Sequence, residues 1–329
     1  MLSFIVVVAL AGCGGGGAAI TGGGGSTAPQ AVSSIKLQSD AGDYIGAGQT
    51  YSYTKATAQT SVSATGGHLS VSITGDQRWT GDFLLPNTLS KFQPGTYSGL
   101  KRYPFNDPAV GGLNWDGEGR GSDSLTGSFT VASVTYVKEV LTAIDLTFEQ
   151  HSEGAAPALH GHIIWDSRDA TAPPGPVNPI PPGLWQPASG SVPSTGNYVY
   201  LQSDPGDFIG LGQTYTFTTS QISVSAVGAH LGININTNEF WSGEFHAMNT
   251  LDKLQRGYYG DLRRFPFNNP VKGGLDWDGA GRGCNTLTGW FVVDNVTYVN
   301  GVLTAIDLRF EQHCEGTSPA LHGKIHWIQ

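Results

Sequence analysis

Two stretches of the chain alternate apolar and polar residues in the same way. They run from Leu141 to Gly154 and from Leu303 to Gly316. A period of two places the apolar side chains on one face of a β-strand, where they pack against a core. The opposite face of the second stretch then displays a polar row, which consists of Asp307, Arg309, Glu311 and His313.

Both stretches belong to a tandem duplication. Residues 61–165 align without a gap to residues 223–327, and about sixty of these roughly one hundred positions are identical. Each copy contains several short strand-like segments separated by turn signals such as Asn300-Gly301. No amphipathic helix interrupts them. This pattern predicts an all-β fold, with two tandem antiparallel β-sandwich domains of a jelly-roll-like kind.

Composition divides the chain further. The stretch between the copies is rich in proline and small residues, which predicts a semi-extended linker that holds the domains apart. Glycine runs near the N-terminus predict a flexible tether. The expected segments are a signal peptide (1–12), a Gly-rich tether (13–33), module 1 (34–168), the Pro-rich linker (169–197) and module 2 (198–329).

Charge narrows the range of partners. The chain has 329 residues and a formal net charge of -9 at pH 7, without any cluster of Lys and Arg. A nucleic-acid-binding surface needs such a cluster, so the sequence argues against nucleic acid as a partner. Each module is long enough to bury a core of its own.

The apolar run from Leu2 to Ala11 is too short to span a bilayer as a helix. It leads into the tetrapeptide L-A-G-C, which ends at Cys13 and resembles the lipobox of bacterial lipoproteins. The resemblance implies cleavage before Cys13, a lipid on Cys13 as the membrane contact, and a location at the outer membrane or cell surface. The alternative is an ordinary secretory signal with a chance cysteine, since no basic residue precedes the run.

The two remaining cysteines are expected to form a disulfide bond. Cys284 and Cys314 occupy the positions of Ser122 and Ser152 in the first copy. Both positions are therefore cysteine in one copy and serine in the other. Joint replacement is what a covalent pair in an exported protein predicts, whereas two unrelated thiols would vary independently.

The end of each module carries a further resemblance. The run F-E-Q-H-C-E-G-x-x-P-A-L-x-G, from Phe310 to Gly323, resembles a C-terminal signature of secreted and lipidated bacterial β-domains. Those domains have no assigned activity. The resemblance therefore implies the fold class and export, and it implies no chemistry.

The polar row is the first candidate site. Side chains two residues apart on one strand face project about 6.5–7 Å apart, so Glu311 and His313 can share a ligand without a close hydrogen bond. Such a row either binds a metal or does acid–base work, or it is scaffold in which Arg282 pairs with Glu311 or Glu315. We expect the scaffold. The candidate polar site consists of Asp278, Arg282, Asp307, Glu311 and His313.

A glycine-rich segment offers a second candidate. Residues 273–283 read G-G-L-D-W-D-G-A-G-R-G, and Asp276 and Asp278 resemble part of a calcium loop. The segment lacks the further acidic ligands of an EF-hand, so a glycine-shaped turn is the favoured interpretation. We expect no cofactor, with calcium at Asp276 and Asp278 as the alternative.

Aromatic residues of module 2 form the third candidate. Phe240, Tyr258 and Trp290 are replaced by Arg, Thr and Ser in the first copy, which predicts that they lie near the surface. Exposed aromatic rings can stack on sugars, although most aromatic residues are buried in cores. The candidate ligand-binding residues are Phe240, Trp241, Tyr258 and Trp290.

Together these features favour an exported, lipid-anchored surface protein that binds glycan or another envelope polymer. The chain contains no G-x-S-x-G elbow, and its two plausible thiols are expected to pair. A polysaccharide hydrolase would need two carboxylates across a cleft, for which Glu311 and Asp278 are the available residues. That enzyme and a purely structural envelope protein are the alternatives.

Overall fold

A computed structural model describes residues 32–329, and the expected signal peptide and Cys13 lie outside this range. Each module forms one sheet of ten strands. The strands of module 1 are Ser34–Ser39 (β1), Thr50–Thr54 (β2), Gln59–Thr65 (β3), His68–Thr74 (β4), Arg78–Leu84 (β5), Gly95–Arg102 (β6), Gly112–Gly117 (β7), Leu125–Val137 (β8), Val140–Ser152 (β9) and Leu159–Asp166 (β10).

Module 2 repeats this order and adds one short 3-10 helix, Thr219–Gln221. Its strands are Tyr198–Ser203 (β11), Thr214–Thr218 (β12), Ile222–Val227 (β13), His230–Asn236 (β14), Phe240–His246 (β15), Gly257–Arg264 (β16), Gly274–Gly279 (β17), Leu287–Val299 (β18), Val302–Cys314 (β19) and Leu321–Ile328 (β20).

The order of strands is the same in both sheets. Module 1 runs β2-β1-β10-β9-β8-β6-β7-β5-β4-β3, and module 2 runs β12-β11-β20-β19-β18-β16-β17-β15-β14-β13. All neighbouring strands are antiparallel except β6–β7 and β16–β17, which are parallel. The predicted all-β class with two tandem domains is confirmed.

Each sheet folds over onto itself, because its apolar face is too large to be buried otherwise. On β4, for example, Leu69 and Val71 are fully buried while Ser70, which lies between them, faces outward. The edge strand β2 reaches across to β5, where the Trp79 Nε1 group donates a 2.7 Å hydrogen bond to the Tyr53 hydroxyl. A single apolar core per module results.

Some of the abundant glycines make room for large rings in these cores. A Cβ atom at Gly81 would lie 2.2 Å from the Trp115 ring, and one at Gly243 would lie 2.1 Å from the Trp277 ring. Both glycines sit on strands directly opposite the tryptophan concerned. A larger residue at either position would displace the ring from the core.

The expected linker does not stand free of the modules. Residues Val177 and Tyr258 exchange two backbone hydrogen bonds of 2.9 and 3.0 Å. Farther along, the Trp185 ring stacks on His322 with 5.0 Å between centroids, and the Trp185 carbonyl accepts a 2.7 Å hydrogen bond from Arg309. The segment therefore lies along the outer face of module 2.

The modules also contact each other directly, which differs from the expectation that the linker holds them apart. Asp76 of module 1 forms a 2.9 Å ion pair with Lys272 and accepts a 3.1 Å hydrogen bond from Asn269. Asn269 donates a second bond, of 2.9 Å, to the Thr57 carbonyl. Burial would raise the pKa of Asp76, but these partners outweigh it and lower the pKa.

Candidate functional site

The polar row on β19 is organised by strand register. Glu311 lies directly opposite Trp290 on β18 and directly opposite His322 on β20. The Trp290 indole donates a 3.2 Å hydrogen bond to Glu311 Oε1, and His322 Nδ1 lies 3.2 Å from Glu311 Oε2. Both carboxylate oxygens are therefore engaged by cross-strand neighbours.

Glu311 also contacts His313 on its own strand. Their Nε2 and Oε1 atoms are 3.2 Å apart, and the equivalent atoms of His151 and Glu149 are 2.9 Å apart. The sequence argument against a close bond between residues two apart was wrong. The side chains lean toward each other, and the other ring nitrogen of His313 lies 2.9 Å from the Ser318 carbonyl oxygen.

These neighbours keep the Glu311 carboxylate ionised. Hydrogen bonding with His322 and then with His313 lowers the pKa of Glu311 to about 2, against the opposing effect of burial. The group therefore carries a negative charge at every pH at which the protein would ordinarily work.

One cavity joins two of the predicted sites. It has a volume of about 350 Å³, and Tyr258, Trp290, Glu311 and His313 all line it. We call it the Trp290 cavity. The ring centroids of Tyr258 and Trp290 are 6.1 Å apart, and the Tyr258 ring is half-buried. Trp290 is only 8% exposed, so the prediction that it lies near the surface is wrong, although it lines the cavity. The rest of the lining consists of Asp76, Asp261, Leu262, Arg263, Lys272, Thr288 and Gly289.

The predicted pairing of Arg282 with Glu311 or Glu315 is wrong. Arg282 donates a 2.7 Å hydrogen bond to the Ile209 carbonyl and lies over the Trp241 ring at 5.7 Å. Glu315 instead accepts hydrogen bonds from the backbone and hydroxyl of Thr286. Arg282 thus pins a loop to the core, as Arg120 does through Ile45 in module 1.

Two of the predicted aromatic residues lie elsewhere. Trp241 is 1% exposed and belongs to the core, so its prediction as a surface ligand-binding residue is wrong. Phe240 is 53% exposed, as predicted, but it does not line the Trp290 cavity. The two neighbours on β15 face opposite sides of the sheet, because side chains alternate along a strand.

The other members of the predicted polar site also lie outside this cavity. Asp307 forms an ion pair of 2.8 Å with His326. Asp278 accepts a 2.9 Å hydrogen bond from the Ser242 hydroxyl. Neither residue lines the cavity that holds Glu311 and His313. The five residues predicted as one polar site are therefore distributed over separate parts of module 2.

The two carboxylates proposed as calcium ligands already have protein partners. Arg264 Nε lies 3.3 Å from Asp276 Oδ2, so a positive charge is present beside this carboxylate. Burial raises the pKa of Asp276 to about 6, and Arg264 offsets only part of that effect. A carboxyl group that is half protonated near pH 6 and faces a guanidinium is a poor calcium ligand.

The outer face of module 1 carries a concavity, whereas a segment around Trp185 lies on the outer face of module 2. A concavity of about 490 Å³ lies over β1, β8, β9 and β10, and Ser128, Thr147, Glu149 and His160 line it. Their counterparts in module 2 are Trp290, Arg309, Glu311 and His322. The segment around Trp185 contacts two of these four, Arg309 and His322. The position of Arg309 is taken in module 1 by the shorter Thr147.

A further cluster was missed by the sequence reasoning. His230, Glu244 and His246 lie together on β14 and β15, with ligand atoms within 4.8 Å of one another. Within residues 32–329, it is the one group of at least three His, Cys, Asp or Glu side chains close enough to share a metal ion. The signal available in the sequence was the alternation of Glu244 and His246 at the end of β15, with His230 on the preceding strand.

No protein family, curated protein or solved structure matched the chain. The fold and the disulfide define its class, which is an all-β protein of two homologous domains with a Cys284–Cys314 bridge in the second. Residues 32–329 contain no helix with the length and apolar character required to cross a membrane.

Proposed function

We propose that the protein is a polysaccharide-binding protein of the cell envelope and that the Trp290 cavity of module 2 receives the sugar. One observation carries the proposal: two aromatic rings, an ionised carboxylate and an imidazole line the same cavity. Aromatic faces stack on sugar rings, and charged side chains accept and donate hydrogen bonds to hydroxyl groups.

The lining favours a hydroxyl-rich ligand over an apolar one. Asp261 and Glu311 supply acceptors, while Arg263 and Lys272 supply donors. The apolar part of the lining comes from Tyr258, Trp290 and Leu262. A ligand that buries one ring face and presents many hydroxyls matches this arrangement, and a saccharide has both properties.

Binding is favoured over hydrolysis by the low pKa of Glu311. Glu311 is held at a pKa of about 2, whereas a general acid needs a raised pKa. Asp278, the expected second carboxylate, does not line the cavity. Glu311 therefore serves as a fixed hydrogen-bond acceptor in this proposal.

Binding should be lost when the two cavity aromatics take the residues of module 1. We expect Tyr258→Thr with Trp290→Ser to weaken retention on insoluble envelope polysaccharide at least tenfold, because stacking area and the Trp290–Glu311 bond are both removed. Phe240→Arg also installs the module 1 residue, but outside the cavity. It should leave retention unchanged.

Co-sedimentation of the full chain with purified polysaccharide measures this, after circular dichroism has shown that each variant is folded. Equal loss of binding in the Phe240→Arg variant would contradict the cavity assignment. Absence of any binding by the unaltered chain would favour a purely structural role instead.

The envelope location rests on the lipobox-like tetrapeptide and on the disulfide, since disulfides persist in oxidising compartments. Cys13→Ser should move the protein from the membrane fraction to the soluble fraction, because one acyl-bearing residue is the proposed anchor. Fractionation followed by immunoblotting measures this. The Cys284→Ser/Cys314→Ser variant is the control and should stay with the membrane; membrane retention of Cys13→Ser protein would refute the anchor.

A further inference from the structure

The cluster of His230, Glu244 and His246 lies on the outer face of the β14–β15 hairpin. His230 and His246 are direct cross-strand partners, and Glu244 precedes His246 by two residues on the same face. Direct partners in an antiparallel pair have Cβ atoms about 4.5–5.5 Å apart. The hairpin register therefore brings three ligand side chains to one place without any loop.

The side chains already converge. The two imidazole rings are stacked, with 3.9 Å between centroids and 12° between planes. Glu244 Oε2 contacts His230 Nε2 and lies 4.0 Å from His246 Nε2. Ligand nitrogens in a tetrahedral zinc site lie about 3.3 Å apart, given bonds of 2.0–2.1 Å. The ligand atoms are therefore close enough to share an ion, once the stacked rings tilt so that their in-plane lone pairs meet at it.

One ring nitrogen of His246 has no hydrogen-bond partner among the described residues. This atom, Nε2, is buried. A buried nitrogen left this way is costly unless it binds something.

We propose that His230, Glu244 and His246 form a binding site for a divalent transition metal, with Zn²⁺ as the preferred ion. Two imidazoles and one carboxylate are a donor set that Zn²⁺ accepts, and a fourth position is left for water or a ligand. His230 and His246 also help to line a cavity of about 380 Å³.

Other side chains lie next to the cluster. Asp276 lies directly opposite Glu244 in the register of β15 and β17. The Phe265 ring stacks on His246 at 3.7 Å. Two arginines are nearby: Arg264 is paired with Asp276, and Arg78 lines the cavity but donates to the Pro266 carbonyl.

Module 1 provides an internal control. The equivalent positions are His68, Asp82 and Leu84, so the first two donors are retained and the third is absent. His68 and Asp82 form a pair of 2.7 Å. Two donors bind Zn²⁺ weakly, so one metal site per chain is expected.

Isothermal titration of untagged, chelator-treated full chain with Zn²⁺ tests the proposal. Every protein carries Cys13→Ser to remove a competing thiol, and the chain with this change alone serves as the unaltered chain. We expect one equivalent of tight binding. His246→Leu, which installs the module 1 residue, should weaken it at least about 50-fold. His68→Ala and Glu311→Gln should leave it unchanged.

Two results would overturn the site: no tight binding by the unaltered chain, or undiminished binding by the His246→Leu variant. Co²⁺ provides a second readout, because a tetrahedral site with imidazole and carboxylate ligands gives visible absorption bands. Those bands should appear with the unaltered chain and disappear with Glu244→Gln. Glu311→Gln also separates this site from the Trp290 cavity, where polysaccharide would bind.

Discussion

Replacing Cys284 and Cys314 together with serine should lower the free energy of unfolding of module 2 by about 3–4 kcal/mol. The bond closes a loop with a sequence separation of 30, and a cross-link of that span restricts the unfolded chain by about this amount. The double replacement should not introduce a packing defect, because the fold already accepts serine at both positions. In module 1 the same positions are Ser122 and Ser152, whose hydroxyls form a 2.7 Å hydrogen bond.

Hydrogen exchange of the full chain measures the effect module by module. Amides of β18 and β19 should exchange faster in the double variant, and those of β8 and β9 should be unchanged, because only module 2 loses its bridge. Reductant added to the unaltered chain should reproduce the result. A loss below about 1 kcal/mol would mean that the unfolded chain is restricted by other means.

Asp294→Ala should destabilise module 2 by about 3 kcal/mol, because it leaves a buried guanidinium without its carboxylate. Arg309 is 5% exposed and forms two hydrogen bonds of 2.8 Å to Asp294. Lys324 also lies 3.0 Å from Asp294, so two positive charges would lose one shared partner. Burial alone would raise the pKa of Asp294, but Arg309 and Lys324 together outweigh burial and lower that pKa.

The residues of module 1 indicate a second substitution that should restore the lost stability. Its residues at these positions are Ala132 and Thr147, so Asp294→Ala combined with Arg309→Thr installs a pair that the fold already accepts. Thermal and denaturant unfolding should show that the double variant recovers more than half of the lost stability. If the double variant is less stable than Asp294→Ala alone, the cost does not arise from an uncompensated charge.

The sequence predicts the fold class and the disulfide because both depend on local or repeated signals. Alternation along β19 identifies Ile306, Leu308 and Phe310 as core residues without any knowledge of their neighbours. The paired substitution of Cys284 and Cys314 is likewise visible from the repeat alone. These inferences need no information about which strands are adjacent.

The partners of polar residues require the strand order, which alternation does not contain. Glu311 bonds to Trp290 and lies beside His322 because β18 and β20 flank β19 in a particular register. Arg282 is close in sequence to Cys284, yet it turns toward Ile209. The assignment of Arg282 to Glu311 therefore failed for lack of topology.

The error at Trp241 was avoidable, because the repeat already distinguishes the two β15 neighbours. Position 241 is tryptophan in both copies, whereas Phe240 corresponds to Arg78. The metal cluster is a different case. It becomes visible only when the hairpin register places His230 opposite His246.

The position of the Trp185 segment has a consequence for competition. Because this segment is covalently joined to module 2, it meets the β19–β20 face at an effective concentration in the millimolar range. Any ligand that binds that face must therefore displace the Trp185 segment, which acts as a tethered competitor. The equivalent side chains of module 1, such as Thr147 and Glu149, are exposed. The equivalent faces of the two modules thus differ in the ligand concentration needed to occupy them.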